Sequence, residues 1–238
     1  MNKTEKNEAG KEQIVNDESL NQSVRTKENN QLFLALFLMA SIVVILIAVP
    51  YINNHYINTF TYGGLTFQKT KMGELLFYST QFPVVSATGA VIGDYAVNLR
   101  TDPRVLAEEV IVNVTNNTIK FARDGKKFGE VYISLNPFMK LCDNSVISMA
   151  ALAGFLGDSG LVVKSAYTDK AFARDHNATA RWCYDSSFDT VIIVTDGNES
   201  SIKEIAPDCY QLTFKECNVL QVSERFQLLI LEDYAQRI

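Results

Sequence analysis

The sequence predicts an α/β protein, with α+β as the alternative, carried on one N-terminal transmembrane helix. Three observations predict it. Nineteen residues from Leu32 to Pro50 contain no charge. Residues 60–100 are strand-like segments separated by turn residues. From residue 130 onward, short apolar runs alternate with helical patterns. The order implies β-hairpin strands first, then a mixed β-sheet covered by helices.

The segment LFLALFLMASIVVILIAVP spans roughly 28 Å as a helix, about the thickness of a bilayer's hydrocarbon core. A core helix is rarely apolar on every face for so long. The transmembrane segment is placed at residues 31–51, with Tyr51 and Tyr56 at the interface. About thirty polar residues precede it and no A-x-A site follows, so an uncleaved signal anchor is favoured over a cleaved signal peptide. Arg25 and Lys27 precede the helix and the next cation is Lys69, which puts the N-terminus in the cytoplasm and the C-terminal domain outside the cell membrane. Residues 1–30 contain no aromatic side chain and predict a disordered tail. Residues 52–59 are too few for a long stalk. The folded domain occupies 60–238.

The elements of that domain follow in order. YGGLTF and ELLFYSTQF read as strands around a polar KTKMG turn ending at Gly73. SATGAVIG supplies glycine turns and DYAVNLR the next strand. Asp102-Pro103 opens a helix with body RVLAEE, Asp at the N-cap and Pro first inside. VIVNV and TIKFA flank Asn116-Asn117. EVYISL (130–135) is a strand, and CDNSVISMAALAGFLGDSG (142–160) a helix closed by glycines. Its Ala150, Ala151, Ala153, Gly154 and Gly157 suggest close approach to a sheet. LVVKSA (161–166) is a strand and TDKAFARDH (168–176) a helix capped by Thr168. DTVIIVTDG (189–197) is a strongly apolar strand, ESSIKEI a short helix, and CYQLTF a strand. SERFQLLILEDYAQRI is a terminal helix capped by Ser223.

Cys142, Cys183, Cys209 and Cys217 all follow the membrane segment, and an even count outside the cytoplasm suggests two disulfides. Free buried thiols are the alternative. His55 and His176 are the only histidines, too few to support a zinc site. Four cysteines allow three pairings. Cys209 and Cys217 are roughly 26 Å apart if extended, so they pair only if the chain reverses between them. The favoured set is Cys142–Cys183 with Cys209–Cys217.

Net charge is −5, without the basic footprint of a nucleic-acid binder. Four N-x-S/T sequons, at Asn113, Asn116, Asn177 and Asn198, permit an external location, while Asn2 and Asn21 carry two more in the tail. GDSG (157–160) matches the nucleophile segment of trypsin-like serine proteases, but the family's following Gly-Pro is replaced by Leu161-Val162 and its His order is absent, so it reads as a helix stop. Glu204, Asp208 and Glu216, like Glu108-Glu109, read as solvated carboxylates. Trp182, Tyr184 and Phe188 read as packing around Cys183, with a binding patch as the alternative. VIIVTDGNES (191–200) resembles the strand and loop of von Willebrand factor A domains, whose TDG aspartate helps bind a divalent cation. The resemblance makes Asp196 a weak metal candidate, since the family's D-x-S-x-S segment is missing.

A wider layout joins the anchor, YGGLTF, NLRTDPR (98–104), CDNS (142–145), FLGDSGL (155–161), CY (209–210) and SERF (223–226). This layout resembles uncharacterised single-pass membrane proteins of archaea. The resemblance implies an anchored extracytoplasmic domain, open to N-glycosylation, with no assigned activity.

The expected function is therefore a non-enzymatic cell-surface or envelope protein that binds a partner or supports an assembly. Its partners are the lipid bilayer and a surface protein, with no cofactor and no nucleic acid. The alternative is an anchored hydrolase or cation-dependent adhesion domain using Asp196 and loops at the sheet's C-terminal edge.

Overall fold

The computed structural model describes residues 33–52, 58–85, 91–125, 127–185 and 188–237. The chain divides into two units, Met1–Ile57 and Asn58–Ile238. The polar tail, His55, Tyr56 and the glycine turn at 86–90 lie outside the described residues.

In the first unit, α1 runs Phe33–Ile52, 20 residues, long and apolar enough to cross a membrane. Phe33, Phe37, Leu46 and Ile47 are all exposed, so the helix carries an apolar surface all round. Its backbone groups are satisfied internally, as lipid requires. Together with the two disulfides of the second unit, α1 points to a membrane-anchored chain whose cysteine-bearing domain lies in an oxidising compartment.

The second unit opens with a four-stranded antiparallel meander: β1 (Thr59–Tyr62), β2 (Leu65–Met72), β3 (Leu75–Val85) and β4 (Val91–Leu99). Gly63 and Gly64, at φ +57° and +81°, make the first turn. The second turn is tighter than the predicted KTKMG. Lys69–Met72 continue β2, and only Gly73-Glu74 turn. Leu65, Phe67, Val97 and Leu99 are buried in the main core, so one face of this sheet is the packed one.

α2 (Pro103–Glu109) starts as predicted, with the Asp102 carboxylate accepting from Arg104 N. β5 (Ile111–Asn113) follows, then a 3-10 turn at Thr115–Asn117 with Asn116 and Asn117 both at positive φ. VIVNV and TIKFA, on either side of that turn, are not paired with each other. β5 instead pairs in parallel with a distant strand. A short ribbon, β6 (Arg123–Asp124) and β7 (Lys127–Phe128), precedes the main sheet.

The main sheet contains β8 (Val131–Leu135), β9 (Val163–Tyr167), β10 (Thr190–Gly197), β11 (Ser201–Ala206) and β12 (Cys209–Lys215), in the order β5-β11-β12-β10-β8-β9. β9, β8, β10 and β12 are parallel, and β11 is antiparallel to β12. The helices are α3 (Ser145–Asp158), α4 (Lys170–Asp175) and α5 (Val219–Ala235). Predicted hairpin strands followed by a helix-flanked mixed sheet are thus the observed architecture.

Four local expectations are corrected. ESSIKEI is not a helix. Ser201 and Ile202 are fully buried, and the segment pairs with both β12 and β5, so ladder bonding overrides helix propensity. α4 is capped by Asp169, which accepts from Phe172 N at 2.6 Å, not by Thr168. α5 begins four residues before Ser223, whose hydroxyl bonds back to Leu220 O inside the helix. In α3 the buried residues include Leu152, Phe155 and Leu156, while Ala150, Ala151, Gly154 and Gly157 face solvent.

One face of the sheet carries Ile133, Ile192, Val194, Leu212 and Phe214 into the main core, joined there by Leu152 of α3 and Phe226 of α5. Burying side chains of this size stabilises by roughly 1.5–3 kcal/mol each. Strand alternation turns Val191 and Ile193 to the opposite face, where they pack with Cys183 and Cys209 in a smaller cluster. The segment between β9 and β10 lies over this second face. Ser134 Oγ donates to Arg181 O, and the Arg181 guanidinium lies 4.6 Å from the Tyr132 ring.

The disulfides are Cys142–Cys217 and Cys183–Cys209. The favoured pairing is overturned for a physical reason. β12 runs straight between Cys209 and Cys217, so no reversal brings them together. Each binds a different loop instead.

Candidate functional site

The chain runs from β8 through α3 to β9, then through α4 to β10 on the other side of β8. The winding therefore reverses between β8 and β10. In open α/β sheets a crevice opens at the carboxyl ends of the strands at such a reversal. The second sheet face has a cleft of about 490 Å³ there, within the range of small-molecule sites.

Its polar lining is Asn136, Thr168, Asp169, Thr195 and Gln211; its apolar lining is Phe138, Trp182 and Ile193. Asn136, Phe138, Thr168 and Asp169 follow the ends of β8 and β9, Ile193, Thr195 and Gln211 stand on β10 and β12, and Trp182 lies on the segment between α4 and β10. Asn136 follows β8 and continues the ladder through Asn136 N to Val194 O. Its side-chain NH₂ donates to Thr195 Oγ1 at 3.0 Å, and its Oδ1 accepts from Phe138 N at 3.1 Å. This fixes the loop that carries Phe138. Gln211 uses its NH₂ on Thr213 Oγ1. Asp169 uses one oxygen on Phe172 N. Trp182 is positioned by its backbone N–H, which donates to Asp185 Oδ2 at 2.8 Å.

The rim of this edge is apolar. Phe138, Leu141 and Val146 are 75%, 84% and 79% exposed. They flank Cys142, whose bridge to Cys217 ties the loop to the end of β12. Phe138 meets Phe172 edge-on at 6.1 Å, and Phe172 stacks on His176 at 3.9 Å. Tyr184 and Phe188 are also exposed, so the expectation that they pack around Cys183 is corrected. Cys183 is buried with Cys209, while the rings beside it face solvent.

Asp196, the residue singled out for a cation, is exposed at the end of β10 and is not part of the cleft. Its neighbour Thr195 points into the cleft, so strand alternation turns Asp196 to the other side. The Asp196 carboxylate accepts from Lys140 N at 3.3 Å. Among the described residues, no group of three or more His, Cys, Asp or Glu side chains could hold a metal ion.

GDSG ends α3. Ser159 Oγ donates to Phe155 O, and Asp158 accepts from Tyr95 OH. The His176 ring is held by Phe172, with Nδ1 at 2.9 Å from Phe172 O. Glu204 accepts from Thr115 N, and the Asp208 carboxyl is pushed above its usual range by burial and by the nearby Glu204 charge. Glu108 and Glu109 are exposed on α2, and Glu216 is exposed after β12 at positive φ. The sequon residues Asn113, Asn116, Asn177 and Asn198 are all exposed.

The residues that sequence reading missed are Asn136, Phe138, Thr168, Asp169, Thr195 and Gln211. Only the strand-end position of Asn136 and Thr195, after apolar runs, marked them. No protein-family model, curated protein or solved structure matches the chain.

Proposed function

We propose that the chain is a membrane-anchored extracytoplasmic binding protein, without catalytic chemistry, that presents the C-terminal edge of its parallel strands to a partner. One observation carries this reading: large apolar side chains stand exposed on either side of the Cys142–Cys217 bridge, Phe138 at the cleft, Leu141 on the same loop and Val146 in the first turn of α3. Exposed apolar groups on a rigid loop cost solvation unless a partner covers them. A tethered loop loses little freedom on binding, which favours affinity.

α1 acts as an uncleaved anchor with the tail in the cytoplasm and the domain at the cell surface or in the envelope. That orientation follows from Arg25 and Lys27 before the span. The exposed sequon asparagines are then open to N-glycosylation in a host that performs it.

Two measurements test the reading on the full chain in its own membrane. Protease added to intact cells must remove a C-terminal epitope; a protected epitope overturns the topology. A photoreactive residue at position 138 or 141 must give discrete adducts that the same residue at 109, on α2, does not. Equal or absent adducts overturn the site.

A further inference from the structure

We propose that the cleft binds an uncharged saccharide. This inference rests on the binding reading above and names the ligand class for the same site.

The charge of the lining decides first. Among the described residues no Lys or Arg lines the cleft, so an anionic ligand would enter without a counter-charge. Asp169 is the one carboxylate among four neutral hydrogen-bonding side chains. A cation would use the carboxylate and the rings and leave the amides and hydroxyls idle. An uncharged, hydroxyl-rich ligand uses Thr168, Asp169 and Gln211 while Asn136 and Thr195 stay bonded to each other.

The free valences decide next. Gln211 spends its NH₂ on Thr213, leaving its Oε1 as an acceptor. Asp169 spends one oxygen on Phe172 N, leaving the other. The Thr168 hydroxyl and the Trp182 indole N–H complete a set of acceptors and donors around the same cleft. Sugar hydroxyls are each donor and acceptor, so adjacent ones can satisfy a carboxylate oxygen and an amide oxygen together.

The rings decide last. A pyranose has a flat C–H face that is apolar and slightly positive, suited to the negative face of an aromatic ring. Trp182 and Phe138 supply two such surfaces at one cleft. The Asn136–Thr195 bond and the two disulfides hold the elements in place before ligand arrives.

Trp182 is the single tryptophan of the chain, so its emission reports this cleft alone. The experiment titrates the full chain, in detergent micelles or nanodiscs, with glucose, mannose, galactose, N-acetylglucosamine and their disaccharides. The expected result is a saturable change in Trp182 emission with at least one neutral sugar. Asp169→Asn keeps the α4 cap, because Asn caps as well as Asp. It and Gln211→Ala should each weaken that binding by about fivefold or more, consistent with a lost hydrogen bond. Silence with every sugar, a response only to choline, spermidine or inorganic phosphate, or unchanged affinity in both variants overturns the proposal. If crosslinking at position 138 persists while Trp182 stays silent to sugars, the saccharide assignment falls and the binding reading stands. If both fail, both fall.

Discussion

The Glu224 carboxylate accepts hydrogen bonds from two consecutive backbone N–H groups, those of Arg100 at 2.6 Å and Thr101 at 3.0 Å. The side chain is buried in α5, and the amides close β4 just before α2. One carboxylate thereby joins the antiparallel meander to the central helix. Burial nevertheless raises the Glu224 pKa, outweighing the two amides. The folded state therefore holds this proton more tightly than the unfolded chain does. Its contribution falls as pH rises from about 4.3 through the raised pKa, and is level above it. Glu224→Gln removes that slope but turns an NH₂ toward one of the two amides. We expect a loss of about 1–3 kcal/mol at pH 7, and a larger loss at pH 4, where the wild-type carboxyl is protonated. Urea melts at both values check this; an equal loss at both sinks it.

The two disulfides should differ in their response to reductant. Cys183 and Cys209 are buried, whereas Cys217 is exposed and Cys142 half-buried. Limiting reductant followed by alkylation and mass spectrometry should label Cys142 and Cys217 first. Chain-entropy estimates give about 4.5 kcal/mol for the outer loop and about 3.5 for the inner one. Cys142→Ser with Cys217→Ser should lower thermal stability accordingly. Prior labelling of Cys183 would contradict the order.

Glycine substitutions should separate by position. A Cβ on Gly129 would lie 1.8 Å from the Phe188 carbonyl oxygen, so Gly129→Ala must shift backbone and should cost more than about 3 kcal/mol. Gly154 meets nothing within 4 Å on the solvent face of α3. Gly154→Ala should therefore stabilise, by about 0.5–1 kcal/mol. Thermal melts of the two variants must move in opposite directions.

Tyr95 on β4 donates to Asp158 Oδ2 at 2.9 Å, and burial first, then that hydrogen bond, raise its pKa to about 12. The folded state keeps the phenolic proton that the unfolded chain releases near pH 10. Its contribution is thus complete below about pH 10 and fades as pH rises toward 12. Tyr95→Phe should remove about 0.5–1.5 kcal/mol at pH 7. Ultraviolet titration should show one fewer tyrosine ionising near pH 12.

Much of the fold was legible because its signals are local. The uncharged run at Leu32–Pro50, the Asp102-Pro103 helix start and the apolar run at Val191–Val194 each announce their element without outside help. The failures are non-local. Ser201–Ala206 became a strand because β12 and β5 flank it, which no window of that segment contains. The disulfide pairing needed the direction of β12. The cleft was the least legible feature, because Asn136, Asp169, Thr195 and Gln211 are ordinary turn and strand residues until the sheet order sets them side by side.

The two disulfides are nested: Cys183–Cys209 lies wholly inside the loop closed by Cys142–Cys217. A tether pulled from the anchor end toward the C-terminus therefore transmits tension through the outer bridge. The loop it closes, with a sequence separation of 75 and roughly 250 Å of contour, stays slack and slips out only when that bridge opens. The inner bridge, the ends of β9, β10 and β12, and the cleft residues from Thr168 to Gln211 lie within the sheltered length, whereas Asn136 and Phe138 precede it. The molecule can thus be stretched at its ends while most of its cleft stays inside the closed loop and only the Asn136–Leu141 segment carries load.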